Sequence, residues 1–229
     1  MHTYTRGFTL IEMMVSVAII AVISAVVVYN HGKFNSDLEI TNIAYRVALE
    51  ARLAQVYGVS VRQATGASGS PTFNAAYGLH FITAENTGLI FFSDTNQDGQ
   101  YSSAEQDGLE LVCDDEGECV EQLNLGRGNV IRKICSIPAS APTTCGTLDG
   151  LHAVDILFKR PKIDAIIKAY VGSYENQTPS TSCTQTESGD CAGVAVCLLS
   201  PQGKQKQVVI LSTGQISVEN VAPSGSYCS

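Results

Sequence analysis

The 229-residue chain has no tryptophan, three methionines and four histidines, and charged side chains make up only 16% of it. His2, His31, His80 and His152 are scattered, with no nucleophile at a recognisable spacing, which leaves little material for an imidazole-based catalytic centre. There is no Gly-x-Ser-x-Gly, no phosphate-binding loop and no His-Glu-x-x-His. These absences point away from an enzyme. Cations are scarce too: 14 Lys and Arg against 22 Asp and Glu give a formal net charge of −8. That balance argues against nucleic acid as a partner. The small basic cluster Lys159-Arg160-Pro161-Lys162 reads as a solvated turn.

Hydrophobic residues make up 45% of the chain, which excludes a disordered chain, and the composition is neither that of a collagen nor of a coiled coil. The length suits one domain, or one domain plus an appendage. Cysteine is abundant: Cys113, Cys119, Cys135, Cys145, Cys183, Cys191, Cys197 and Cys228. None sits in a Cys-x-x-Cys or at zinc-finger spacing from a histidine, so a structural zinc site is not expected. An even set reads as disulfides in an oxidising compartment. Short loops suggest Cys113–Cys119, Cys135–Cys145 and Cys183–Cys191, leaving Cys197 with Cys228.

The amino terminus decides the class. After the polar MHTYTRG, residues 8–29 read FTLIEMMVSVAIIAVISAVVVY, interrupted by one charge, Glu12. As a helix, these 22 residues span about 33 Å, enough for a hydrocarbon core of roughly 30 Å. A secretory signal is shorter and ends in a small-residue cleavage site, whereas this run continues into a second helical pattern. Glu12 is costly within such a run unless a cation joins it. Cleavage between Gly7 and Phe8 creates one, a new α-amine.

RGFTLIEMMVSVAIIAVI resembles the class III signal of type IV prepilins and type II secretion pseudopilins, over residues 1 to about 32. The resemblance implies a leader at 1–7, cut after Gly7 by prepilin peptidase, and a mature chain starting at an N-methylated Phe8. It implies that Glu12 registers a neighbouring subunit by pairing with that subunit's terminal amine. It further implies a single-pass protein of the inner membrane with its head outside the cytoplasm, later drawn into a periplasmic or extracellular filament. The partners implied are other pilin or pseudopilin subunits and the peptidase, which is also the N-methyltransferase.

From Leu38 to Val56, Ile40, Ile43, Ala44, Val47, Ala48 and Ala51 fall on one helical face, with Glu39, Asn42, Arg46 and Glu50 on another. This predicts an amphipathic extension over 30–56, with a kink near Asn30, Gly32 and Asn35. The remainder, 57–229, reads as a β-rich head. Strands are expected at Tyr57–Arg62, Tyr77–Ile82, Gly88–Phe92, Leu109–Val112, Val130–Ile134, Val154–Phe158, Ala165–Val171, Val194–Leu199, Val208–Leu211 and Gln215–Val218. The expected fold is α+β and type IV pilin-like, a long N-terminal helix packed on a predominantly antiparallel β head. The helix end, YGLHF and the final VVILSTGQISV resemble GspH/FimT-type minor pilins and pseudopilins. Some such proteins bind DNA beside the closing strand, but here Gly214-Gln215-Ile216-Ser217 has no Arg. The leading expectation is a structural minor subunit of a type IV pilus or secretion pseudopilus. The alternative is a tip adhesin or DNA-uptake pilin whose head binds a ligand.

Residues 94–105, DTNQDGQYSSAE, fit the EF-hand calcium template, with Asp94, Asn96 and Asp98 at positions 1, 3 and 5, Gly99 at 6 and Glu105 at 12. The Gln100 carbonyl and Ser102 would complete an all-oxygen shell for a hard cation. The flanks, GLIFFS and GLELV, are strand-like, so the loop is expected to close a β-hairpin and the cation to stiffen the head. An ordinary Asp/Asn/Gly turn without metal is the competing reading.

Overall fold

The computed structural model describes residues 7–65, 71–83, 86–102, 113, 118–138, 144–145, 151–171, 178–179, 191–222 and 226–228. Helix α1 runs from Leu10 to Val59, 50 residues and about 75 Å. Thr9 is its N-cap, with Oγ1 accepting the Glu12 N–H at 3.3 Å. Glu12 is thus the third helical residue, the position an acid takes in a capping box. At the other end the Ser60 N–H donates to the Val56 carbonyl at 3.1 Å.

The sequence suggested a kink near residues 30–35 and a strand over Tyr57–Arg62. The helix instead runs uninterrupted through 30–35 and on to Val59. Packing explains the overrun. The Tyr57 ring meets Tyr77 and Phe91 at 5.5 and 5.7 Å between centroids. Gly58 lies so close to Phe158 that a Cβ there would stand 2.2 Å from the Phe158 carbonyl oxygen. Val59 and Val61 favour extended backbone locally, but the tertiary contacts of the preceding turn prevail.

Thirteen strands follow among the described residues: β1 Ala64–Thr65, β2 Pro71–Thr72, β3 Ala76–Ile82, β4 Gly88–Asp94, β5 Cys119–Asn124, β6 Val130–Pro138, β7 Thr144–Cys145, β8 Leu151–Phe158, β9 Ala165–Val171, β10 Thr178–Pro179, β11 Cys191–Leu199, β12 Gln205–Leu211 and β13 Ile216–Asn220. They form a six-stranded sheet, order β10-β9-β8-β3-β4-β5, a five-stranded sheet, order β13-β12-β11-β6-β7, and the small pair β1-β2. Every pairing is antiparallel. The fold is therefore α+β, with a long N-terminal helix on antiparallel sheets. The expected strand Leu109–Val112 lies outside the described residues. Strand β5 escapes the eye because it is an edge strand: CVEQLN is half polar and buries only Leu123.

One continuous core joins the two sheets to the helix. Ile40, Ile43, Ala44, Val47, Ala48, Ala51 and Ala54 are buried against Leu79, Phe81, Leu89, Phe91, Ile156 and Val196. Each large side chain so buried contributes about 1.5–3 kcal/mol, and the four alanines keep the helix close to the sheets. Strands β3 and β4 are buried at every position rather than at alternate ones. Their outer face is covered as well: Ile90, Phe92 and Leu157 pack under Tyr101, from the loop after β4. On the outside of the second sheet, Cys135, Cys197 and Cys228 form a third cluster. Cys113 is bonded to Cys119, Cys135 to Cys145 and Cys197 to Cys228. Cys191 is also disulfide-bonded; Cys183, its expected partner, lies outside the described residues.

Glu50 is a flaw in the helix–sheet contact. Its Oε2 is buried with no hydrogen-bond partner. Burial, then the Glu121 carboxylate, push its pKa up from 4.5, and Arg46 opposes them. A carboxyl with a raised folded pKa favours folding when protonated. Its contribution is fully present below about pH 4.5 and is lost as pH rises through the folded value. Glu50→Gln should therefore raise Tm by about 1–3 °C at pH 7 and leave it unchanged at pH 4, as measured by thermal melts of the detergent-solubilised chain.

Candidate functional site

The span Leu10–Tyr29 has a mean hydropathy of 2.6, and none of it is buried. Gly7, Phe8 and Thr9 precede the helix in non-helical backbone, and Phe8 is 82% exposed. The Gly7–Phe8 bond therefore lies outside the helix, and both residues are exposed. Glu12 lies in the first turn, where the helix dipole favours a negative charge.

The exposed apolar surface does not stop at Tyr29. Leu38, Tyr45, Leu49 and Val56 are about half exposed or more. At 100° per residue they form one stripe on the side of α1 opposite the core face. Sequence reading found the core face and overlooked this one. Its signal was there in the i, i+7, i+11, i+18 spacing, masked by the stronger stripe behind it.

The loop after β4 gathers several predicted ligands. The Asn96 side chain donates to Asp98 Oδ2 at 3.0 Å and to Ser102 Oγ at 3.4 Å, and its Oδ1 accepts the Asp98 N–H at 2.9 Å. Asp98 Oδ1 accepts the Gln100 N–H at 2.8 Å. Gly99 has φ +73°, a left-handed turn suited to glycine, and its N–H donates to Asp94 Oδ2 at 3.1 Å. Asp94 is 2% exposed, and its other oxygen, Oδ1, is buried with no partner. Burial, then the Asp98 charge, push the Asp94 pKa up, against the N–H groups of Gly99 and Gln97 and the charge of Lys159. The Lys168 ammonium donates to the Asp98 carbonyl at 2.6 Å. Glu105 lies outside the described residues. Among those described, no three His, Cys, Asp or Glu side chains converge on one metal position. The loop's donors are a mixed oxygen set, and the orphaned Asp94 Oδ1 suits a hard cation.

Two buried carboxylates were not singled out from the sequence. Glu118 is 5% exposed and folds back onto the loop. Asp155, 1% exposed, faces His80 directly across β3 and β8. His80 Nδ1 lies 2.6 Å from Asp155 Oδ1 and donates to it, since an ionised carboxylate only accepts. Asp155 Oδ2 accepts the Tyr101 N–H at 3.3 Å, and the Tyr101 ring stands 4.8 Å from that of His80. Burial and the Asp155 charge hold the Tyr170 phenol well above its ordinary range. The pair fastens the loop to the sheet. Strand pairing brings His80 to Asp155 from 75 residues away.

Compared with known families, residues 3–28 match the prokaryotic N-terminal methylation motif, which is typical of type IV pilins and pseudopilins. No curated protein and no solved structure matches the chain.

Asp155→Ala removes the acceptor of the buried His80 Nδ1 and of the part-buried Tyr101 N–H. It should cost about 2–4 kcal/mol, visible as a lower urea midpoint. Hydrogen exchange should then quicken in the 95–102 loop.

Proposed function

We propose that this chain, which carries the methylation motif typical of type IV pilins and pseudopilins, is a structural minor subunit of a type IV pilus or type II secretion pseudopilus. It enters the filament through α1 after cleavage between Gly7 and Phe8. The observation that carries this reading is a helix whose first 20 residues are predominantly apolar and uncovered, with Glu12 the single charge, behind an exposed Gly7–Phe8 bond. Lipid covers that surface before assembly. Neighbouring copies of the same kind of helix cover it afterwards, and the stripe Leu38, Tyr45, Leu49, Val56 extends the contact above the membrane.

Glu12 gives the assembly its register. A lone carboxylate in an apolar span is costly, on the order of 2.5–3.5 kcal/mol at the centre and less at Glu12, which lies in the first turn. The α-amine of Phe8 on a neighbouring subunit offsets that cost only where the two meet, so a displaced helix is penalised. The head stands outside the cytoplasm, in an oxidising compartment where its disulfides persist.

We further propose that the loop of Asp94, Asn96, Asp98, Gln100 and Ser102, closed by Glu105, holds a structural calcium ion. Calcium would supply positive charge to the buried, partnerless Asp94 Oδ1 and to the Asp98 carboxylate beside it. These side chains hold and orient the ion, and the head is stiffened where the loop covers the outer face of β3 and β4.

Intact-mass measurement of the chain from its native membrane should give a protein starting at Phe8 and one methyl heavier. A chain still starting at Met1 in the presence of the peptidase would sink the subunit reading. Glu12→Ala should be processed normally yet enter filaments at least tenfold less, scored by immunoblot of sheared filaments. For the loop, calorimetric titration should give a Kd of about 0.1–1 mM for calcium, weakened tenfold or more by Asp94→Asn. Calcium at ten times Kd should stabilise the chain by about 1.4 kcal/mol.

A further inference from the structure

The loop at 94–102 is shaped by a residue far outside it. Glu118 stands immediately before β5, and its carboxylate reaches both ends of the loop. Oε1 accepts the N–H of Thr95 at 2.8 Å and of Asn96 at 3.2 Å, with the Thr95 hydroxyl at 3.3 Å. Oε2 accepts the N–H of Ser102 at 3.1 Å. The backbone repeats the clasp: Ser93 N–H donates to the Glu118 carbonyl at 2.9 Å, and Glu118 N–H donates to the Ser102 carbonyl at 3.2 Å. A single residue thus ties down loop positions 2, 3 and 9.

The local covalent and pairing pattern keeps it there. Cys119 is bonded to Cys113, which closes the return of the chain into β5. The β4–β5 register shifts between Phe91 and Phe92, an irregularity of the kind that re-aims side chains beside sites. The placement is expensive for the protein alone. Glu118 is buried beside another buried carboxylate, Asp94, whose Oδ1 has no partner. Glu118 is compensated by backbone N–H groups, and Asp94 only in part.

We propose that Glu118 is the positioning residue of the cation loop: by bonding the backbone at both ends it holds Asp94, Asn96 and Ser102 in a binding geometry before the ion arrives. This rests on the calcium reading above. Preorganisation of this kind lowers the ordering cost of binding, so its loss appears in affinity. Glu118→Gln keeps one oxygen for Thr95 and Asn96 but turns an NH2 group towards the Ser102 N–H, two donors face to face. Glu118→Asp keeps the charge and is one methylene too short to span both ends.

The test is calcium titration by calorimetry of the full chain in detergent, with hydrogen exchange of the 93–103 peptide before calcium is added. Both variants are expected to bind calcium about tenfold or more weakly than wild type, with faster exchange in that peptide. Wild-type binding with unchanged affinity in both variants overturns the positioning role and leaves the calcium reading standing. A wild type that takes up no calcium at 10 mM overturns both. Loss in Glu118→Gln alone overturns it too, because charge rather than reach would then account for the effect. If Glu118→Gln fails to fold, an unweakened Glu118→Asp overturns the role, and a weakened one with an unshifted Tm supports it.

Discussion

About 20 residues of apolar helix surface have nothing to lie against within one chain, and water is not an acceptable neighbour for them. An uncovered apolar patch of that extent marks a surface meant for lipid or for other proteins. Everything else follows from that demand. For the filament subunit proposed above, the helix has two successive environments, lipid and then neighbouring helices, and the covering in each comes from outside the molecule. On that reading the single carboxylate in the run is tolerable in the second environment only if that environment brings its own cation.

The upper half of α1 meets the same demand from two sides. Its alanine-rich face is closed by both sheets, with Gly58 allowing the last turn to touch β8. The opposite face keeps Leu38, Tyr45, Leu49 and Val56 outward. One rigid rod therefore links the head's core to the surface that neighbours would grip. A displacement imposed on the lower half is carried directly to the sheets, because no break in the helix absorbs it.

What could be read from the sequence follows the range of each interaction. The apolar run, the buried helical face and most strands depend on periodicity along the chain, and residue spacing carries it. Tyr57–Val59 is helical against its local pattern because an edge-on tyrosine contact and a close glycine contact, both made with distant strands, decide its conformation. Strand β5 was missed because edge position, which composition does not encode, lets a polar segment pair. The loop's Asp, Asn and Gly pattern was legible, being local. Glu118 and the His80–Asp155 pair were not, since strand pairing brings them to the loop from tens of residues away.

Among the described residues, the outermost strand on one side of each large sheet comprises two residues: β7, Thr144–Cys145, and β10, Thr178–Pro179. Cys145 sits opposite Cys135 and is bonded to it, so β7 is fixed to its neighbour. Proline in β10 has no N–H to offer. The missing N–H weakens strand addition at β10, so β5 and β13, the opposite edges of the two sheets, are the longer bare edges among the described residues and the places where another chain's strand would pair.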